Sequence, residues 1–415
     1  MRTVERRDKK SDAKTTRKTK APDGGATIVL ARRLSLYRNL ASAVFPERAS
    51  ADEAKVICDK IRAAYKTVCK KITSSAGNVK GANDDGGFEE FKSGDAIWHA
   101  KMSEAERLFE SDVAEEKRDN VVFLTSRNLP EVIVNASDHA EFVVDCMERG
   151  FRDATRQLSA VADELGKRLN FANAEPFGWL AADPDHAGVG MKISQCFCFA
   201  ALFVLRELDA VLRGLERIGF DVAPMYSDPE EDDMQSSLAP GCCYWLSPVP
   251  NDGMDANALA DKAERVFSAV TEIERNARIA LFADNVSQDM LADYAMRSVG
   301  IGVGARTVSE AEFIDLKAAL EFAIDMGVFK ETRSKEFRHQ LFAFYRTSAA
   351  LFDMQERMAP PDLEDDHFDF LKKRFLADLI RQEFACVLPE WFNRNLNVED
   401  DMENYGPPKK KRKQK

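Results

Sequence analysis

Between Met191 and Cys198 the residues Met191, Ile193, Gln195 and Phe197 alternate with Lys192, Ser194, Cys196 and Cys198. That period of two predicts a half-buried strand. From about Ala200 the apolar spacing changes to three and four. Leu202, Leu205, Leu208, Val211, Leu212, Leu215 and Ile218 predict one helix that stops at Gly219. A short strand, Phe220 to Met225, follows. Ahead of the first strand, Ala182 to Gly190 holds Asp183, Pro184, Asp185, Gly188 and Gly190, turn residues that interrupt regular structure. Loop, strand, helix and strand together predict an α+β core with one loop held at a strand edge.

The same reading extends along the chain. Ser50 to Lys71 is an amphipathic helix with Ala54, Ile57, Ile61, Ala64, Tyr65 and Val68 on one face and Ser50 or Asp52 as its cap. Residues 74–95, rich in glycine, read as a long linker. Val121 to Phe142 gives two strand-like runs around a turn at Asn128 to Pro130. Phe151 to Leu169 is a long helix. Leu259 to Leu281 is another, with Ala263, Val266, Phe267, Val270, Ile273 and Ala277 facing inward.

Composition narrows the class. A chain of 415 residues with 45% hydrophobic content can bury a large core, in two domains by length. No apolar run approaches the roughly 20 residues of a membrane span, and the N-terminal residues offer no apolar secretory region. Eight scattered cysteines form no CxxC pair and no Cys/His zinc spacing, so reduced core thiols are expected. The net charge of −11 is uneven: residues 1–20 and the tail Lys409–Lys415 each carry +6, leaving the body near −23. Such a body is a poor host for nucleic acid or a triphosphate unless a local basic pocket exists. Both basic ends read as disordered.

Several of these stretches, in this order, resemble the guanidino phosphotransferases (the phosphagen kinases), and especially the bacterial protein-arginine kinases. Trp179, Leu180, Pro184, Gly188, Gly190 and Ser194 hold their places in a segment that reads roughly Y-L-T-S-C-P-T-N-x-G-T-G-x-R-A-S in that family. The places of its reactive cysteine, asparagine, second threonine and arginine hold Asp183, His186, Val189 and Lys192. Ile28, Val29, Leu30, Arg33, Leu36, Arg38, Asn39, Phe45 and Pro46 match I-V-L-S-S-R-I-R-L-A-R-N and the F-P that follows it. The R-x-R pair of that strand grips ATP phosphates, a task suited to planar guanidinium forks. Here Arg33 stands at the first position and Ser35 at the second.

Asn135-Ala136-Ser137-Asp138-His139 resembles N-E-E-D-H-L-R-I, in which a carboxylate aligns the substrate guanidinium and helps remove its proton. Ala136 and Ser137 replace both glutamates, and Glu141 replaces the arginine that contacts nucleotide. The remaining His139 reads as a hydrogen-bonded structural residue. Where the family has R-G-x-x-G-E-x-S-E, Ala223 takes the arginine position. Glu231, in the acidic loop Ser227 to Asp233, falls on the glutamate position. Ala96 to Ala114 resembles the family helix whose last turn reads L-I-S-P-H-L-A, with Asp112 where the family has a histidine. Glu274 to Arg278 resembles S-Q-E-R-S-A-R, Met296 to Ile301 resembles R-S-Y-G-I-L, and Ala318 to Val328 resembles L-G-I-D-L-G-I-I. The last belongs to the helical C-terminal domain that dimerises and reads phosphoarginine in the bacterial kinases. Its R-D-I-R-R-A element has no clear counterpart here, Lys372, Lys373 and Arg374 being out of pattern. The resemblance covers roughly Thr27 to Glu383.

It implies an α+β fold: an antiparallel sheet flanked by helices over residues 26–280, then a mostly helical dimerisation domain over 281–397, with arms at 1–25 and 398–415. It also implies a site in which Arg33 and Lys192 alone remain basic for nucleotide, while Ser35, Glu141 and Ala223 do not. An Arg-to-Glu exchange is a two-unit swing, and at about 5 Å and an effective dielectric of 20 each unit is worth roughly 3 kcal/mol against a phosphate charge. Losing one such arginine costs on the order of 10³–10⁵ in rate, and a missing acid–base group about 10²–10⁴. The expected function is a kinase-fold binding or regulatory protein without the usual chemistry. The alternative is an active ATP- and magnesium-dependent phosphotransferase in which Asp183, His186 and Glu231 serve as carboxylate and base. A homodimer in a bacterial cytoplasm is expected, burying apolar faces around Phe322 and Ile324. The tail Pro407 to Lys413 looks like a nuclear import signal, or else a weak contact for nucleic acid or another polyanion.

Overall fold

The computed structural model of the chain describes residues 28–75, 88–92, 121–126, 129–226, 239–250, 254–330 and 365–388. The basic arms, the helix expected at Ala96–Ala114, the acidic loop with Glu231 and the tail Pro407–Lys413 lie outside them. In chain order the strands are β1 (Val29–Arg38), β2 (Glu89–Lys92), β3 (Val122–Ser126), β4 (Leu129–Val134), β5 (Ala140–Asp145), β6 (Asn173–Ala174), β7 (Gly178–Trp179), β8 (Met191–Cys198), β9 (Phe220–Pro224) and β10 (Cys243–Pro248). The helices are α1 (Ala51–Ser75), α2 (Phe151–Leu169), α3 (Ala200–Val204), α4 (Leu208–Arg217), α5 (Ala256–Ala280), α6 (Asn285–Gly304), α7 (Glu310–Asp325) and α8 (Asp365–Val387).

Eight strands form one sheet in the order β2-β3-β4-β5-β1-β8-β10-β9. Every neighbouring pair is antiparallel, and the C-terminal part is helical. This is the α+β architecture that the chain's pattern predicted. Strand β2 falls inside the stretch expected to be linker, because its backbone completes the sheet edge beside β3.

Local chemistry sets the helix ends. Ser50 and Glu53 form a reciprocal box at the start of α1: the Glu53 N–H donates to Ser50 Oγ at 3.3 Å and the Ser50 N–H to Glu53 Oε2 at 2.9 Å. Helix α2 closes at Asn170, which adopts a left-handed conformation with φ 45°. Its inward row, Phe151, Ala154, Leu158, Val161, Ala162 and Leu165, is buried. Each large side chain in that row contributes roughly 1.5–3 kcal/mol.

Helices α1, α2 and α5 cover one face of the sheet, over Leu34, Leu36, Phe142, Ile193 and Phe197. The same core takes in Leu291, Ile314, Ala318 and Phe322 of the C-terminal helices. A second apolar cluster joins Val299, Phe313, Leu316, Leu320, Leu376, Ile380 and Phe384 across α6, α7 and α8. Among the described residues no helix is long and apolar enough to cross a membrane.

Four expectations need correction. Strand β8 is not half-buried, since every residue except Lys192 is buried. Its second face is covered from above rather than left to solvent. The single helix expected from Ala200 to Gly219 is two, broken at Arg206, whose φ is 63°. The Glu207 N–H reaches back to Leu202 O at 2.8 Å and closes α3 early. Ile218 is 55% exposed, and Ile273 of α5 is 43% exposed rather than inward. Phe322 and Ile324 are buried inside this chain, Phe322 edge-on to Tyr294, so they are not available to a dimer interface.

Candidate functional site

Register puts the positions of interest on one face. Tyr37 is opposite Glu141, Ser35 is opposite both Val143 and Lys192, and Arg33 is opposite Ser194. Trp245 is opposite Cys196 on one side and Ala223 on the other. Directly opposed residues share a face, so Arg33, Ser35, Glu141, Lys192 and Ala223 all lie on the face away from α1, α2 and α5. The sheet has brought together the five positions assigned to nucleotide.

Their chemistry is changed by their contacts. Arg33 Nη2 lies 2.9 Å from Glu141 Oε1, and Arg33 Nε donates to Ser35 Oγ at 3.0 Å. The side chains are 12% and 5% exposed, so Arg33 is not the solvated strand residue that its position alone allows. Glu141 stands where the family carries a second nucleotide arginine. Here it neutralises the first. Lys192 is half-buried on the adjacent strand, and Ala223 offers no charge.

The loop before β8 covers the same face. A short helical turn, Pro184–His186, is capped by Asp183, whose side chain accepts from the Asp185 N–H at 2.9 Å. His186 stacks on Tyr37 with ring centroids 4.5 Å apart and planes 1° from parallel. Its Nδ1 lies 3.7 Å from Asp183 Oδ2. Burial, then the Lys192 charge, hold His186 below its ordinary pKa of 6.5. Burial and the nearby Glu141 raise the Tyr37 phenol well above 10.

Arg38 anchors the loop. Its guanidinium stacks on Trp179 at 4.0 Å and donates to Gly190 O at 3.1 Å. Gly190 has φ 63°, and a Cβ there would fall 2.6 Å from Arg38 Nη1 and 2.8 Å from Trp179 Cβ. Only glycine fits that closely. Asp183 and His186 are thus held together over the sheet, whereas Glu231 lies outside the described residues.

The Asn135–His139 segment is built for structure. Asp138 Oδ1 accepts from Asn39 Nδ2 and from the Ala182 N–H at 2.8 Å, tying this segment to the loop. Burial raises the pKa of Asp138. His139 Nδ1 accepts from the Leu40 N–H at 3.0 Å, so Nε2 carries the proton and donates to Val44 O at 2.8 Å. Both ring nitrogens are engaged in a fully buried residue. Ala136 packs with Phe123, Ile133 and Val143, and Ser137 Oγ donates to Asp138 Oδ2 at 3.2 Å. Neither side chain supplies a carboxylate.

Sequence reasoning missed Tyr37, Trp179 and Arg38 as parts of this site. Tyr37 was within reach, because it continues the alternation Arg33, Ser35, Tyr37 on one face. The Arg38–Trp179 stack joins residues 141 positions apart and leaves no local signal. Among the described residues no group of three or more His, Cys, Asp and Glu could hold a metal ion.

Known proteins carry the same arrangement of sequence. Residues 67–277 match the family described as ATP:guanido phosphotransferase, C-terminal catalytic domain. The protein-arginine kinase of Bacillus pumilus is 25% identical over 315 residues, 75% of this chain and 80% of that one. That of Clostridium novyi is 21% identical over 301 residues, 72% of this chain and 81% of that one. Of solved structures, the duplicated taurocyamine kinase from Schistosoma mansoni with bound transition state analog components aligns with a TM-score of 0.44 and 15% identity, over 60% of this chain. The chain spans 33% of that longer protein. A lombricine kinase aligns with a TM-score of 0.38 and 15% identity, over 62% of this chain and 72% of that one. With its family match covering half the chain, this protein belongs to the ATP:guanido phosphotransferases and is similar to the bacterial protein-arginine kinases.

Proposed function

We propose that this member of the family no longer transfers phosphate from ATP to a guanidino group and acts as a protein-arginine-kinase-like binding or regulatory partner. The Arg33–Glu141 ion pair carries the reading. Phosphoryl transfer is catalysed by positioning and by positive charge around the phosphates. On this face Glu141 cancels Arg33, which leaves Lys192 as the net cation across the five positions. Even with the metal ion's own charge counted, one net cation among these positions does not make the clamp of several basic groups that phosphoryl transfer uses, so the residues present do not fit magnesium–ATP in the family's manner. No phosphoryl step is therefore assigned to them. Homodimerisation through the helical C-terminal part belongs to the same proposal, as does a cytoplasmic setting. The interface must then lie elsewhere than Phe322 and Ile324.

A second reading rests on one contact. His186, stacked on Tyr37 and near Asp183 and Lys192, supports an active protein-arginine kinase with rearranged residues. Two measurements separate the readings: a thermal shift with ATP, with and without magnesium, and mass-spectrometric detection of phosphoarginine on a protein substrate. No shift and no phosphoarginine are expected. Phosphoarginine above background that disappears in Lys192→Ala would overturn the proposal.

A further inference from the structure

Seven of the eight cysteines are buried, and three of them, Cys198, Cys242 and Cys243, meet at one corner of the sheet. Cys198, at the end of β8, is directly opposite Cys243, at the start of β10. The backbone bonding fixes what kind of pair this is. The Phe199 N–H donates to Cys242 O at 2.9 Å, one half of a hydrogen-bonded pairing, while the Cys242 N–H turns away to Ala239 O at 3.0 Å. The next pair along, Cys198 and Cys243, is then of the non-hydrogen-bonded kind.

In such a pair the Cα atoms stand about 4.5 Å apart and both side chains project to one face. A disulfide bridges Cα separations of roughly 4.4–6.8 Å. The same ladder shows how close these side chains come. Ser194 and Ser247, the next-but-one non-hydrogen-bonded pair on the same face, bring their hydroxyl oxygens to 2.8 Å. The two thiols also share an acceptor: Cys198 Sγ lies 3.6 Å and Cys243 Sγ 3.2 Å from Gly241 O. Cys196 is opposite Trp245 rather than Cys243. Cys242, in the turn just before β10, also lies near Cys198, and the peptide map distinguishes it from Cys243.

We propose that Cys198 and Cys243 are an oxidation site that closes a reversible disulfide, cross-linking β8 to β10. A hydroperoxide is the oxidant. One thiol gives up its proton and its sulfur attacks the peroxide, breaking the O–O bond to give a sulfenic acid and one water. The second sulfur attacks that sulfenic sulfur, the S–S bond forms, and the hydroxyl leaves with a proton as a second water. Two thiols and one hydrogen peroxide give one disulfide and two waters. The hydrogen bond that the Cys243 thiol donates to Cys198, then burial, hold the Cys243 thiol well above its ordinary pKa. The reacting thiolate is therefore scarce in the closed fold, and the reaction proceeds slowly, through brief openings of the strand pair.

The test is limiting hydrogen peroxide on the full chain carrying Cys386→Ser, which removes the exposed thiol and with it cross-linking between molecules. The oxidised protein is denatured, alkylated and mapped by peptide mass. Two alkylatable thiols are lost, the Cys198 and Cys243 peptides are found joined, and dithiothreitol releases them. Cys196→Ser leaves the cross-link in place, and Cys198→Ser abolishes it. Should Cys198→Ser fail to fold by circular dichroism, the map of the parent protein alone decides. Full alkylation after exhaustive oxidation, or a bridge joining Cys196 or Cys242, overturns the proposal.

Discussion

Replacing Glu141 with glutamine removes one negative charge from the sheet face and leaves an amide oxygen for Arg33. The present pair has an N–O distance of 2.9 Å. At an effective dielectric of about 20 that is roughly 5.7 kcal/mol of gross attraction, most of it offset by the desolvation of two buried groups. Glu141→Gln should therefore lower the unfolding free energy by only about 1–3 kcal/mol. The effect on an anionic ligand is larger in proportion. A phosphate charge about 5 Å from both partners gains roughly 3 kcal/mol from the guanidinium and loses as much to the carboxylate.

Removing the carboxylate restores the gain. Even half of it, about 1.5 kcal/mol, is a tenfold change in affinity. Isothermal titration with ATP and ADP at low ionic strength should show Glu141→Gln binding at concentrations at least about tenfold below any at which the native chain responds, with the gain shrinking as salt is added. A folded Glu141→Gln that binds nucleotide no better than the native protein would refute the reasoning, because the ion pair would then not be what weakens the site.

Three further outcomes follow from other contacts. Gly241, with φ 66°, has no room for a side chain, since a Cβ there would lie 2.9 Å from Ala318 Cβ and 3.1 Å from Ile314 Cγ2. Gly241→Ala should destabilise by about 2–4 kcal/mol in chemical denaturation, and an unchanged midpoint would contradict the packing of α7 against this turn. Glu274, fully buried, accepts from the Ala201 and Leu202 N–H groups at 3.0 and 3.2 Å and from Arg278 Nε at 3.1 Å. Glu274→Ala should cost about 2–4 kcal/mol and Glu274→Gln less, measured in the same way. Burial depresses the His139 pKa below 6.5. The folded state thus binds this proton less readily than the unfolded one, and the stabilisation is full above pH 6.5 and fades as pH falls through the folded value. His186 shifts in the same direction, so the contrast with His139→Gln isolates the first histidine. The native protein should lose more stability than the variant between urea titrations above and below pH 6.5, and equal losses would reject the assignment.

Much of the scaffold was legible in the residues. Helix α2 runs from Phe151 to Leu169 and strand β8 from Met191 to Cys198, as their periods predict, because side-chain alternation and helical turns are local properties of the chain. Ser50 was readable as one of two cap candidates, beside Asp52, and the structure adds its reciprocal partner Glu53, three residues on. The order of the motifs carried the family and, with it, the antiparallel sheet. The break at Arg206 was hidden, since Leu202, Leu205 and Leu208 continue a helical spacing straight through it.

What the residues determined alone was which side chains stand at the positions that the family resemblance assigns to nucleotide, and that three of the five are not basic. What they left undecided was the state of the remaining charges. Arg33 and Glu141 are 108 positions apart, and only the β1–β5 register brings them to 2.9 Å. Likewise the stack of His186 on Tyr37 depends on a loop folding across the sheet, held by Arg38, Trp179 and Gly190. Local periodicity specifies a strand and the face each side chain takes. Strand pairing and loop packing then decide which charge meets which, and at contact distance in a buried setting that meeting determines whether an arginine is offered to a ligand or already neutralised.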